Sequence, residues 1–83
     1  MNVGLLMEER IEVYCSGDLP EAIMMRGERL RVAEILDVWR DVGRWWLGER
    51  EKTFYRLVVE RGGVLEIYHP SGDDSWTLYR VYD

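Results

Sequence analysis

The residues best suited to chemistry in this sequence are arginines and aromatics between positions 40 and 56. Tryptophan and arginine are among the side chains most enriched at protein-binding hot spots, and exposed aromatic rings stack on the bases of single-stranded nucleic acids. Arginine adds a planar fork that pairs with carboxylates and phosphates. The run predicts a candidate interaction surface, which comprises Arg40, Arg44, Trp45, Trp46, Lys52 and Arg56.

Three roles are open for the adjacent tryptophans of this surface. If Trp45 and Trp46 lie in a strand, they point to opposite faces, so that one fills the core and the other covers a barrel end or a partner. Core and rim packing is the first interpretation, contact with a protein the second, and stacking on nucleic acid the third. The formal charge of −5 argues against general binding of duplex nucleic acid, because that affinity comes mainly from cations on phosphates.

The residues that could support catalysis are scattered. His69 is the only histidine and precedes Pro70 in a turn, where a solvated side chain is expected. Cys15 is the only cysteine, so no internal disulfide or cysteine-based metal site can form, and a reduced, cytoplasmic setting is expected. We therefore expect a protein that is not an enzyme and has no metal or cofactor. A reaction centred on His69 with Asp73 or Asp74 is the remaining alternative.

Turn residues recur along the chain at short intervals, which is typical of a sandwich or barrel of short strands. Alternating apolar and polar residues predict strands, the last three forming an antiparallel meander with a tight turn at Gly62-Gly63. The segment 32–42 is ambiguous, because its apolar residues also have helical spacing. A long strand with a bulge near Ile35-Leu36 is the first prediction, and a short helix near 33–42 is the alternative. In both, Ile35 and Trp39 are expected in the core.

These elements predict an all-β fold, a small and strongly bent antiparallel barrel of six to seven strands. Four Trp and five Tyr are expected to supply most of its filling, since each aromatic buries about 150–250 Å². Residues 9–83 are predicted to form the single domain, and residues 1–8 a flexible leader. Met1 to Met7 have neither the charge nor the length of a signal peptide or membrane span, so no membrane association is expected.

The spacing of several motifs resembles a known family. The motifs are Met25-Arg26-Gly27, Ile35-Leu36-Asp37-Val38-Trp39, Gly43-Arg44-Trp45-Trp46, Phe54-Tyr55-Arg56-Leu57-Val58, and an ending with Trp76, Leu78, Arg80 and Asp83. Together they resemble an uncharacterised small bacterial domain family, which occurs alone or at the C-terminus of the inactive Y-family polymerase homologue of the mutasome. The resemblance covers roughly residues 10 to 83 and carries no catalytic motif.

This resemblance implies an accessory role in DNA damage tolerance or translesion synthesis, through contact with a protein of the replication or repair machinery. We therefore expect a non-catalytic interaction module. The alternative is a small barrel that binds single-stranded nucleic acid. A homodimer formed through an exposed strand edge is compatible with either function.

Overall fold

The computed structural model describes the backbone of residues 5–82 and the side chains of residues 8–82. Six antiparallel strands close into a barrel in the order of the sequence. Their bounds are β1 Leu5–Ser16, β2 Leu19–Met25, β3 Glu28–Asp41, β4 Lys52–Val59, β5 Val64–Pro70 and β6 Trp76–Tyr82. A short 3-10 turn occupies Trp45–Leu47, and Glu60–Gly62 form the turn between β4 and β5. The predicted antiparallel barrel and its strand number are confirmed.

Two long strands bend, and each pairs with one neighbour over its first part and with the other neighbour over the rest. β1 pairs with β6 up to Ile11 and with β2 from Glu12 onward. β3 pairs with β2 up to Arg31 and with β4 from Val32 onward. The register with β4 shifts between Ile35 and Asp37, and such bulges let a strand turn a barrel corner. The predicted bulge is thus confirmed, and the alternative of a helix near 33–42 is wrong.

Tight hairpin turns set the register of the strands. Between β2 and β3, Arg26 and Gly27 both have positive φ, 51° and 76°, as a type I′ turn requires. Between β4 and β5, the positive φ angles fall on Arg61 and Gly62. The turn predicted at Gly62-Gly63 therefore lies one residue earlier, and an arginine takes the left-handed conformation that we assigned to glycine.

The barrel core is mainly aliphatic, which corrects the prediction that aromatic residues fill it. The fully buried side chains are those of Ile23, Leu57, Ile67 and Leu78, and burying each contributes about 1.5–3 kcal/mol. The core cluster comprises Ile11, Ile23, Tyr55, Leu57, Val59, Leu65, Ile67, Trp76 and Leu78. Only Tyr55 and Trp76 in this cluster are aromatic.

The two residues of β3 that were expected in the core have different positions. Ile35 is partly buried against the core cluster, as predicted. Trp39 is half-buried and stacks on Phe54, which alternates with the inward-facing Tyr55 on β4 and therefore lies on the outer face. The prediction that Trp39 fills the barrel is wrong.

The described part of the N-terminal segment belongs to the barrel. Residues 1–4 of the predicted leader lie outside the described residues, whereas residues 5–8 belong to β1. Leu5 and Leu6 are in register with Val81 and Arg80 of β6. Among residues 5–82, no helix is long and apolar enough to cross a membrane.

Candidate functional site

The loop between β3 and β4 presents the adjacent tryptophans, and we call Arg44–Leu47 the Trp loop. Its 3-10 turn is closed by the amide of Leu47, which donates to the Arg44 carbonyl over 2.9 Å, and by the amide of Gly48, which donates to the Trp45 carbonyl over 3.0 Å. The entry is fixed by the Gly43 amide, which donates to Asp41 Oδ1 over 2.9 Å. Backbone hydrogen bonds therefore hold the shape of this loop.

Both tryptophans of the Trp loop face solvent. Trp45, Trp46 and Leu47 are 69%, 64% and 64% exposed. The two indoles touch edge to face, with centroids 6.0 Å apart. The prediction that one of them fills the core is wrong, because the pair lies in a turn outside the sheet and strand alternation does not apply. The result is a run of three exposed apolar residues, preceded by Arg44.

Arg40 of the candidate surface lies apart from the Trp loop. It belongs to β3, where its neighbours Trp39 and Asp41 pair with Phe54 and Lys52. Arg40 instead lines a cavity at one end of the barrel, which we call the mouth cavity. Because successive strand residues point to opposite faces, Arg40 lies on the other side of the sheet from Lys52.

Lys52 and Arg56 lie on the outer face of β4, beside an outer aromatic cluster formed by Trp39, Phe54, Tyr68 and Tyr79. The centroids of Trp39 and Phe54 are 5.3 Å apart with nearly parallel planes. Phe54 also contacts Tyr68 and Tyr79, at 5.1 and 5.2 Å, which explains how an outward side chain is buried. Lys52 Nζ lies 5.1 Å from the Tyr68 ring centre, and the Arg56 guanidinium 5.5 Å from that of Trp39.

A buried carboxylate organises the cations of the outer face. The Glu66 side chain is only 3% exposed, and its Oε2 accepts from Arg56 Nε over 2.8 Å and from the Tyr82 hydroxyl over 2.9 Å. Arg80 Nε lies 3.7 Å from the other oxygen. The hydrogen bond to Glu66 raises the pKa of Arg56, and desolvation, followed by the bond to Glu66, raises the pKa of Tyr82. Arg56 is therefore engaged within the fold.

The mouth cavity, of about 600 Å³, contains the only histidine. Nδ1 of His69 lies 3.0 Å from the carbonyl oxygen of Pro70 and 3.2 Å from that of Asp73. Both partners are acceptors, so Nδ1 carries a proton and donates to them. The imidazole packs on Trp76 with centroids 4.3 Å apart. His69 is partly buried, whereas a solvated side chain was predicted.

Neither Cys15 nor Tyr55, which also line the mouth cavity, is activated as a nucleophile. Partial desolvation, followed by the nearby charges of Asp18 and Asp74, raises the pKa of Cys15, so its thiol stays protonated at neutral pH. Burial raises the pKa of Tyr55, and its hydroxyl donates to the Asp18 carbonyl over 3.4 Å. In the described part of the chain, no group of three or more His, Cys, Asp or Glu residues is placed to hold a metal ion.

The six residues of the candidate surface are thus divided among three places. Arg44, Trp45 and Trp46 are in the Trp loop, Lys52 and Arg56 are on the outer face, and Arg40 is at the mouth cavity. Sequence reasoning missed Leu47 and Glu66. For Leu47, the glycines that flank the Trp loop indicated a turn. For Glu66, strand alternation indicated an outward position in β5, but the burial of Glu66 depends on partners in the neighbouring strands.

Comparison with known proteins identifies a family and nothing more specific. A family model described as a domain of unknown function (DUF6504) matches residues 5–83. No curated protein and no solved structure matches the chain.

Proposed function

We propose that this chain, which belongs to the DUF6504 family, is a non-catalytic accessory module that binds a protein partner through the Trp loop. The observation that carries the proposal is the outward presentation of Trp45, Trp46 and Leu47 on a turn fixed by its own backbone hydrogen bonds. Neighbouring large apolar side chains at the surface are typical of interaction sites.

The physical chemistry of the Trp loop suits a protein partner. Indole rings dominate binding hot spots because they bury large areas with few rotatable bonds. A turn that is already ordered loses little conformational freedom on binding, so more of the contact free energy appears as affinity. Arg44 begins the loop and offers a guanidinium to a carboxylate on the partner.

The resemblance described above suggests where such a partner acts. We place it among the cytoplasmic proteins of DNA damage tolerance, with the components of the mutasome as the first to test. A domain that resembles the C-terminal region of the inactive polymerase homologue fits an accessory role in translesion synthesis. The contact is expected to be made by the Trp loop.

The test is capture of mutasome components by the purified protein and by its Trp45→Ala and Trp46→Ala variants. Each substitution should weaken capture at least about tenfold, since loss of a hot-spot tryptophan costs about 2 kcal/mol or more. Thermal unfolding should change little, because neither ring packs in the core. Leu36→Ala is the matched control, as Leu36 is exposed on β3 outside the Trp loop. Capture that is unchanged in both tryptophan variants refutes the role of the loop.

Binding of single-stranded nucleic acid is the second candidate, and the outer aromatic cluster is the observation that favours it. Aromatic rings beside cations are how small barrels hold single strands. Here Arg56 and Arg80 are engaged by Glu66, and the whole chain carries a charge of −5. We therefore rank it below protein binding. Quenching of tryptophan fluorescence by oligo(dT) at low salt, lost steeply as salt is added, would reverse this order.

A further inference from the structure

The barrel has an open strand edge on β3. In the part of the chain that the structure describes, β2 pairs with β3 only as far as Arg31, whereas β4 pairs with β3 from Val32 to Asp41. Among residues 5–82, the edge of β3 that faces away from β4 therefore has no strand partner over residues 32–41. About every second residue of such an edge directs its amide and carbonyl outward. The amide of Val38 is bonded within the chain, to Asp37 Oδ1 over 2.9 Å.

A groove follows this open edge and separates it from the β1–β2 hairpin. It consists of the mouth cavity, of about 600 Å³, and a second cavity of about 370 Å³, and Leu19 lines both. Val38 and Arg40 of β3 line the first part, and Val32 to Ile35 line the second. We call the two cavities together the edge groove.

The lining of the edge groove combines apolar side chains with charged side chains that are mostly acidic. Leu19, Val32, Ile35 and Val38 provide the apolar surface, and Leu19 and Val38 are 52% and 46% exposed. Among the described residues, the charged members of the lining are Asp18, Glu21, Glu34 and Asp74 and one cation, Arg40. An occupant that complements this lining carries apolar and cationic side chains.

We propose that the edge groove binds an extended peptide segment of a partner protein, in which basic and apolar residues alternate, and that the segment adds to β3 as a further strand. Open edges are templates for pairing, and in such strand addition the main-chain hydrogen bonds supply affinity while alternate side chains supply specificity. A segment with alternating basic and apolar residues suits the groove, because successive residues of a strand point to opposite sides. Its basic residues then share one side of the added strand and its apolar residues the other. This site is separate from the Trp loop and does not depend on the function proposed for that loop.

A second copy of the chain is a poorer occupant of the edge groove. Its own β3 edge would bring Glu34, Asp37 and Asp41 against the acidic lining, with Arg40 as the compensating cation. Like charges placed opposite each other across paired strands are destabilising. The charge of the groove therefore favours a basic segment over self-association.

The test uses the whole protein, labelled with nitrogen-15, and a blocked peptide of about seven residues that alternates arginine and valine, long enough to span about 23 Å when extended. Binding is followed by amide chemical shifts and by hydrogen exchange. The peptide should shift the amides of Val32–Asp41, protect those of them that point away from β4, and leave the amides of the Trp loop unchanged. The same peptide with N-methyl groups on alternate residues keeps its charges but loses ladder donors, and should bind at least about tenfold more weakly.

Two matched variants test the charge argument. Glu34→Gln should weaken binding about two- to fivefold. Glu49→Gln makes the same change in net charge outside the groove and should leave affinity unchanged. Three results would overturn the proposal: equal affinity for the N-methylated peptide, shifts confined to the Trp loop, or no binding. Concentration-dependent shifts of β3 without peptide would assign the edge to a second copy instead.

Discussion

Replacing Glu66 by alanine should destabilise the barrel substantially, although the residue lies on the outer face. Its carboxylate receives Arg56 Nε at 2.8 Å and the Tyr82 hydroxyl at 2.9 Å, and faces Arg80 at 3.7 Å. A hydrogen bond to a charged group contributes about 1.5–3 kcal/mol. The Arg56 and Arg80 side chains are 41% and 37% exposed, so both recover water when Glu66 is removed, and this offsets part of the loss.

The expected net loss is about 2 kcal/mol in the free energy of unfolding. For a chain of this size, that corresponds to a decrease of roughly 8–16 °C in Tm. Urea unfolding followed by circular dichroism measures the free energy, and a thermal scan measures Tm. Glu66→Gln should lose less than Glu66→Ala, because the amide oxygen still accepts from Arg56.

A matched control and a double-mutant cycle make the Glu66 prediction specific. Glu12→Ala removes an exposed glutamate from β1 and should change stability by no more than about 0.5 kcal/mol. Arg56→Ala should cost less in the Glu66→Ala background than alone, since the two residues interact directly. If Glu66→Ala is as stable as the Glu12→Ala control, the reasoning about the buried carboxylate is wrong.

Titration and cavity formation offer further tests. Burial is the largest cause that raises the pKa values of Tyr55, Tyr68 and Tyr82 above 10.0. The contribution of these tyrosines to stability is complete below the pKa of the unfolded state and is lost as pH rises through the pKa values of the folded state. The urea midpoint should therefore fall as pH rises above the pKa of the unfolded state, and a constant midpoint up to about pH 11 would contradict this. The raised pKa of Cys15 should make alkylation of this thiol by iodoacetamide slow near neutral pH. Asp18→Asn should accelerate the alkylation about two- to threefold by removing a negative charge near the thiolate. An equal or lower rate in this variant would count against Asp18 as a cause of the raised pKa. Leu57→Ala should cost about 2–5 kcal/mol, measured by urea unfolding, because Leu57 is fully buried, and a loss below 1 kcal/mol would be inconsistent with a close-packed core.

The barrel was predictable because its strands carry a local signal. Period-two alternation and turn residues indicate strands directly. The mixture of helical and extended spacing over 32–42 resulted from a bulge in the strand. Register shifts near Leu36 change which side of β3 each residue faces, so the apolar residues lose strict alternation without forming a helix.

The positions of the aromatic side chains were much less predictable. On β4, Phe54 and Tyr55 are adjacent, so both faces of the strand look apolar and alternation does not identify the inner one. The outer face is covered by rings from neighbouring strands, a property of register that a single strand does not reveal. The alternation of side chains in a strand did not apply to Trp45 and Trp46, because they lie in a turn. A turn does not determine which of two adjacent side chains faces the core.

The length of β3 connects both proposed surfaces. Its first residues close the barrel against β2, and the remainder continues past the end of that pairing along β4. The continuation leaves one edge open, which forms a wall of the edge groove, and it ends at the turn that presents the Trp loop. A partner that uses only the loop would leave hydrogen exchange along β3 unchanged, whereas an added strand would slow exchange at its outward amides. Exchange measured on a captured complex therefore separates the two modes of binding, and slowed exchange together with sensitivity to Trp45→Ala would indicate that one partner occupies both surfaces.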